Sequence, residues 1–344
     1  MLEEPRTQLS EPGLTRRRII ITGVAAMATG LVSATSLAAE KKKENGTDVV
    51  DGKMEMEAEI FFDTHLPNAL RRALEYAGRD GFVASLPQLL HARVNASYDN
   101  IIWNTWFTSY TEESVVTTPG GTRVVVVVHG GGIYASPERF ERSYRGASGE
   151  RNSPEGIVER GGKISSKEAS DILKGDLPDG TRIPIYPFDE FKKGMSNLPR
   201  RYGVVLDYDL ARKSTSGFVP FEVLRDEPNM IARAGGPRPL AAYLDKAQAR
   251  HDTKTMGNWH PYQRRGTADV EMEKRINPAQ PQTRVIFLAG NQGGVRTEDD
   301  DGYRYDYDSA YDIGGDAGIY NQARYVAVAP RYALKSLRNL DFEL

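Results

Sequence analysis

The sequence predicts an α/β or α+β fold in which helices pack on a mixed, largely parallel central sheet carrying a long loop-rich insertion. Three observations point there. Val124-Val125-Val126-Val127-Val128, Val285-Ile286-Phe287-Leu288-Ala289 and Val326-Ala327-Val328-Ala329 are apolar at every position, and strands without polar alternation are those covered on both faces, as in parallel sheets. Two of these runs end in glycine, at His129-Gly130-Gly131-Gly132 and at Gly290-Asn291-Gln292-Gly293-Gly294. Loops at the carboxyl ends of such strands line ligand crevices in open α/β sheets.

Taken from the start, residues 1–39 read as an export signal. Thr15-Arg16-Arg17-Arg18 precedes Ile19-Ile20-Ile21 and an uncharged run ending at Ala38-Ala39, with small Ser36 and Ala38 before a cut after Ala38. The segment resembles a twin-arginine leader, which implies transport of a folded protein to a periplasmic or extracellular location. An uncleaved helical anchor is the alternative, since Ile19 to Ala39 is long enough to cross a bilayer. Residues 40–58 form a charged tether, and 59–344 form the globular domain, with the insertion at about 145–203, rich in Gly, Pro, Lys and Asp.

Within the domain, Leu66, Leu70, Leu74 and Ala77 fall at helical spacing ahead of Gly78, which predicts a helix over about 67–76. Ser85-Leu86-Pro87 opens another helix, and Ile101 to Tyr110, with Trp103, Trp106 and Phe107, fits either a strand or an aromatic helix. Ser165 and Glu168 make a capping-box pattern ahead of a short helix. Leu240, Tyr243, Leu244, Ala247 and His251 mark a helix entered through Pro237-Arg238-Pro239. Strands are expected at 123–128, 203–207, 284–289 and 325–329.

Composition narrows the chemistry. With 45 Lys and Arg against 47 Asp and Glu, the net charge of −2 argues against nucleic acid as a partner. The absence of cysteine removes disulfides, thiolate metal sites, Fe–S clusters and c-type haem. The expected partner is a small-molecule ligand or another surface protein, with membrane contact only through the export signal.

The sharpest local pattern is the first glycine loop. Gly130, Gly131 and Gly132 follow a buried strand, and Ser136-Pro137 suits a helix start just beyond, so exposed amides there could hold an anion or a developing oxyanion. The stretch resembles the His-Gly-Gly-Gly oxyanion loop of the hormone-sensitive-lipase branch of α/β-hydrolases. The family's Gly-x-Ser-x-Gly elbow is missing, because Gln292 stands where a serine would be expected. The catalytic candidates are His129 and His260, and the ligand-binding candidates are Gly130, Gly131, Gly132, Asn291 and Gln292.

Two metal readings exist. Asp63-Thr64-His65 is similar to the first-strand ligand pair of metal-dependent hydrolases, although Pro67 stands where their second histidine would be. Between Glu298 and Asp316, carboxylates alternate with Gly302, Gly314 and four tyrosines. This chemistry suits Ca²⁺, a hard cation taking several oxygen ligands, with Asp299, Asp301, Asp306 and Asp308 as the candidates. The function expected from these residues is binding of a small, anionic ligand at the glycine loops, with hydrolase or lyase chemistry open. The alternative is a non-enzymatic cell-surface or extracellular assembly protein with a Ca²⁺-binding acidic loop.

Overall fold

The computed structural model describes residues 56–147, 157–158, 161–250, 255–259, 281–290, 297–298, 304–305, 313–314 and 322–331. In chain order the strands are β1 (Met56–Asp63), β2 (Phe82–Val83), β3 (Phe107–Thr117), β4 (Arg123–His129), β5 (Ile157–Val158), β6 (Gly161–Lys163), β7 (Ile185–Pro187) and β8 (Tyr202–Asp207). They continue as β9 (Gly217–Pro220), β10 (Thr255–Trp259), β11 (Gln282–Leu288), β12 (Thr297–Glu298), β13 (Arg304–Tyr305), β14 (Ile313–Gly314) and β15 (Ala323–Pro330). The helices are α1 (Leu66–Ala77), α2 (Leu86–Asn95), α3 (Ile101–Asn104), α4 (Pro137–Ala147), α5 (Ser166–Lys174), α6 (Phe188–Phe191), α7 (Tyr208–Lys213), α8 (Phe221–Leu224), α9 (Pro228–Ala234) and α10 (Pro237–Arg250).

The central sheet has ten strands and follows the path β7-β8-β4-β3-β11-β14-β10-β9, with β6 also on β11 and β5 on β6. A three-stranded sheet, β1-β15-β2, lies beside it, and β1 and β15 pair antiparallel from Met56↔Pro330 to Asp63↔Ala323. The strand β1 therefore starts at Met56, inside the segment read from sequence as tether.

Burial on both faces is as the valine run predicts. Val125 and Val127 pack with Leu86, Leu89 and Leu90 of α2 and with Leu240, Tyr243 and Leu244 of α10. Val124, Val126 and Val128 pack on the other side with Leu66, Ala69 and Leu70 of α1 and with Phe140 of α4. The largely parallel sheet is a correction, because strand direction is mixed. β4 pairs antiparallel with β3 and β8, and β11 pairs antiparallel with β3. The described parallel pairs are β7 with β8 and β10 with β14. A continuous apolar run reports cover on two faces, and helices supply that cover whatever the strand direction.

Helix ends follow local chemistry. Gly78 closes α1 at φ 58°, a value glycine reaches without the Cβ clash that other residues meet. Ser165 and Glu168 close the capping box of α5. The span 101–110 holds both alternatives in turn, α3 and then the start of β3. The described part of the expected insertion gives Ile172, Ile183, Phe188 and Phe191 to the two cores.

Candidate functional site

The centre of the sheet is a polar strand that the sequence pattern did not mark. In β3, every residue from Phe107 to Val116 is buried, including Thr108, Ser109, Thr111, Glu112, Glu113 and Ser114. Buried polar groups need partners, and each of the two glutamates has found a different one.

Glu112 occupies the glycine loop. Its Oε1 accepts the amides of Gly132 at 2.8 Å and Tyr134 at 2.9 Å, and its Oε2 accepts the hydroxyl of Thr283 at 3.2 Å. Gly130 and Gly131 direct their amides to the Tyr110 carbonyl at 2.8 and 2.9 Å. All three glycine amides are thus committed inside the protein. At Gly130, Gly131 and Gly132, where a ligand or oxyanion site was expected, the amides meet the chain's own Glu112 carboxylate and the Tyr110 carbonyl. Burial pushes the Glu112 carboxyl up to about 7, against the opposing pull of the Gly132 and Tyr134 amides.

The backbone there requires glycine. Gly130 and Gly131 have φ of 86° and 88°, and a Cβ on Gly131 would lie 2.4 Å from the Tyr110 ring.

His129 is fully buried and faces no solvent. Its Nε2 lies 3.0 Å from the Ala232 carbonyl, which can only accept, so Nε2 carries the proton and Nδ1 accepts from the Thr111 hydroxyl at 3.1 Å. Burial lowers its pKa to about 4. With both ring nitrogens engaged, His129, expected as a catalytic acid or base, ties β4 to α9.

Glu113 faces the other side. Arg233 donates to its Oε2 through Nε at 2.9 Å and Nη2 at 2.5 Å, and the pair is almost fully shielded from water. Arg233 Nη1 also donates to Asn258 Oδ1 at 3.1 Å, which links α9 to β10.

The second glycine loop starts from a fixed root. Arg93 of α2 donates to the Ala289 carbonyl at 2.6 Å, and a Cβ on Gly290 would lie 2.4 Å from the Thr105 backbone. β4 and β11 do run the same way, because both lie antiparallel to the intervening β3. Their ends are offset, however: His129 pairs with Thr111, whereas Leu288 pairs with Phe107. At about 3.4 Å per residue and 4.8 Å per strand, the strand ends at His129 and Leu288 stand some 15 Å apart or more.

Near the β11 root lies a half-buried aromatic group. Trp106 stacks on Phe287 at 5.1 Å and meets Phe62 edge-on at 6.3 Å. The Arg324 guanidinium sits 4.5 Å over Trp106 and 5.4 Å over Phe62, and it also donates to the Thr105 hydroxyl. Phe287 stands at the end of β11 and Arg324 at the start of β15, so these two border both ends of the chain segment 291–321.

His260, Asn291, Gln292, Asp299, Asp301, Asp306 and Asp308 lie outside the described residues, as does the 1–39 signal. His65 pairs through Nε2 with Glu141 at 3.3 Å. Among the described residues, no group of three or more His, Asp or Glu side chains is placed to hold a metal ion, and no helix is long and apolar enough to cross a membrane.

Comparison with protein-family models gives no match, and comparison with curated proteins gives none. A solved structure described as the accommodation of massive sequence variation in Nanoarchaeota by the C-type lectin fold is similar to this chain. The identity is 22%, the TM-score is 0.52, and the match covers 80% of this chain and 98% of the other. At that identity the likeness is one of fold, and it agrees with an α+β architecture of mixed strand direction.

Proposed function

We propose that the protein is an exported, non-enzymatic binding protein that engages its ligand at the sheet end built from Phe62, Trp106, Phe287 and Arg324, together with the neighbouring acidic, tyrosine-rich segment. The observation that carries this reading is the half-buried ring cluster under a guanidinium at the roots of that segment. Aromatic faces beside a cation supply large contact area and directional polar groups, the usual composition of binding hot spots. The commitment of the glycine amides to Glu112 and the Tyr110 carbonyl supports binding over acyl-transfer chemistry, since it leaves them no room for an oxyanion. The similar protein's fold is described as accommodating massive sequence variation, and a platform carrying a Gly-, Asp- and Tyr-rich segment fits such tolerance. The export signal at 1–39 and the Ca²⁺ site at Asp299, Asp301, Asp306 and Asp308 belong to the same proposal.

The test is binding of the purified full chain to arrays of immobilised glycans and of extracellular proteins, with and without Ca²⁺. Wild type is expected to give a saturable ligand that Trp106→Ala and Arg324→Ala each weaken about tenfold or more. Ligand binding indifferent to both substitutions overturns the placement, and turnover of ester substrates overturns the non-enzymatic reading.

A further inference from the structure

A concavity elsewhere in the fold shares no residue with the Trp106 cluster. It is a cleft of about 180 Å³ between the starts of α2 and α10 and the Leu198–Arg200 loop, with Tyr202 of β8 at its base. That volume equals roughly six waters at about 30 Å³ each. Pro87, Leu198, Pro199 and Pro239 make its walls apolar.

Its polar groups are Ser85, Gln88, His91, Arg200 and Tyr202. Gln88 is 8% exposed and Tyr202 4% exposed, and both line the cleft. The Gln88 Oε1 is held by the amide and hydroxyl of Ser85 at 2.8 and 3.0 Å, which turns the amide nitrogen away from its own helix. That nitrogen and the Tyr202 hydroxyl donate to no described residue and open on the cleft, where each is free to donate to a bound acceptor. Arg200 stands on the wall, its guanidinium 5.3 Å over Phe82 and donating to the Asp80 carbonyl at 3.2 Å, and no carboxylate lines the cleft. The two flanking helices, of 10 and 14 residues, present their starts to the same space, where the helix dipole favours negative charge.

We infer that this cleft binds a small organic carboxylate with an apolar body, its oxygens meeting Gln88, Tyr202 and Arg200 and its body lying against the prolines and Leu198. Two donors open to the cleft, a guanidinium and the absence of a lining carboxylate select for an anion. The apolar walls select against a fully hydrated one such as inorganic phosphate.

The experiment uses the full chain with benzoate as the probe, benzamide as its uncharged counterpart, and inorganic phosphate, read by saturation-transfer NMR and calorimetry. Benzoate is expected to bind saturably with Kd on the order of 1 mM or tighter. Benzamide is expected at about tenfold weaker or worse, and phosphate is expected not to bind. Tyr202→Phe, which keeps the ring 4.6 Å from His129, and Arg200→Gln should each weaken benzoate about 3- to 10-fold. Should Tyr202→Phe disturb folding, the exposed Arg200→Gln decides alone. Trp106→Ala should leave benzoate binding unchanged, which separates this cleft from the proposed ligand surface. Equal binding of benzoate and benzamide, no saturable benzoate binding, or indifference to Arg200→Gln would each overturn the inference.

Discussion

Glu112 and Glu113 are adjacent in sequence, yet their carboxylates lie on opposite faces of β3, one in the amides of the Gly132 loop and the other on the Arg233 guanidinium. The period of two along a strand sends neighbours to opposite faces. Both faces of this sheet are dry, so each charge needed its own partner. The strand is thereby stitched to the β4 loop on one side and to α9 on the other.

The Arg233 pair predicts an asymmetric mutational response. Arg233→Met leaves Glu113 buried without its cation and should cost about 3–5 kcal/mol, measured by urea unfolding. The double variant Glu113→Leu/Arg233→Met removes both charges and should recover most of that loss. A double variant as unstable as the single one would show that the pair does more than neutralise itself.

Glu112 and His129 predict opposed pH dependences. The Glu112 carboxyl is raised from 4.5 to about 7 in the fold, so its contribution is fully present below about pH 4.5 and is lost as pH rises through about 7, on the order of 3 kcal/mol. His129 is lowered from 6.5 to about 4, so its contribution is present above about pH 6.5 and is lost as pH falls through about 4. In the wild type the two contributions nearly cancel between pH 5 and 7, whereas in Glu112→Gln only the rise due to His129 should remain. Chemical unfolding from pH 4 to 8 measures both, and identical profiles for variant and wild type would contradict the assignment of Glu112.

Sequence legibility follows the range of the interactions. The helix α1, the Ser165–Glu168 capping box and the two-sided burial of Val124–Val128 depend on spacing within a few residues, and all were readable. The strand β3 was not, because Thr-Glu-Glu-Ser reads as a solvated segment. Its burial is made possible by Gly132, Arg233 and Thr283, which lie 20, 120 and 171 residues from their glutamates. Similarly, Gly130-Gly131-Gly132 announced a loop rich in free amides, but the carboxylate that fills it comes from another strand. The Trp106 platform joins residues from β1, β11 and β15 and had no local signature.

The glycine loop predicts a steep position effect. Gly131→Ala would place Cβ 2.4 Å from the Tyr110 ring at φ 88°, combining left-handed strain of about 1–2 kcal/mol with a core clash. A loss of roughly 3 kcal/mol or more is expected. Gly121→Ala, at φ 82° with nothing within 4 Å, carries only the strain and is the control. Equal losses at the two sites would mean that the contact with Tyr110 is soft.

Calcium is the remaining point open to direct measurement. The carboxylates Asp299, Asp301, Asp306 and Asp308 are close in sequence and hinged by Gly302, a composition suited to oxygen coordination. A cation that binds only the folded chain stabilises it by about 2.7 kcal/mol at one hundred times its dissociation constant. EDTA should therefore lower the melting midpoint by several degrees, and excess Ca²⁺ should restore it where Mg²⁺ does not, since Mg²⁺ resists losing its water. The double variant Asp306→Asn/Asp308→Asn should melt like the EDTA-treated wild type and ignore added Ca²⁺. A midpoint unmoved by EDTA would remove the ion from the account and leave the tyrosines and the Trp106 platform to bind ligand unaided.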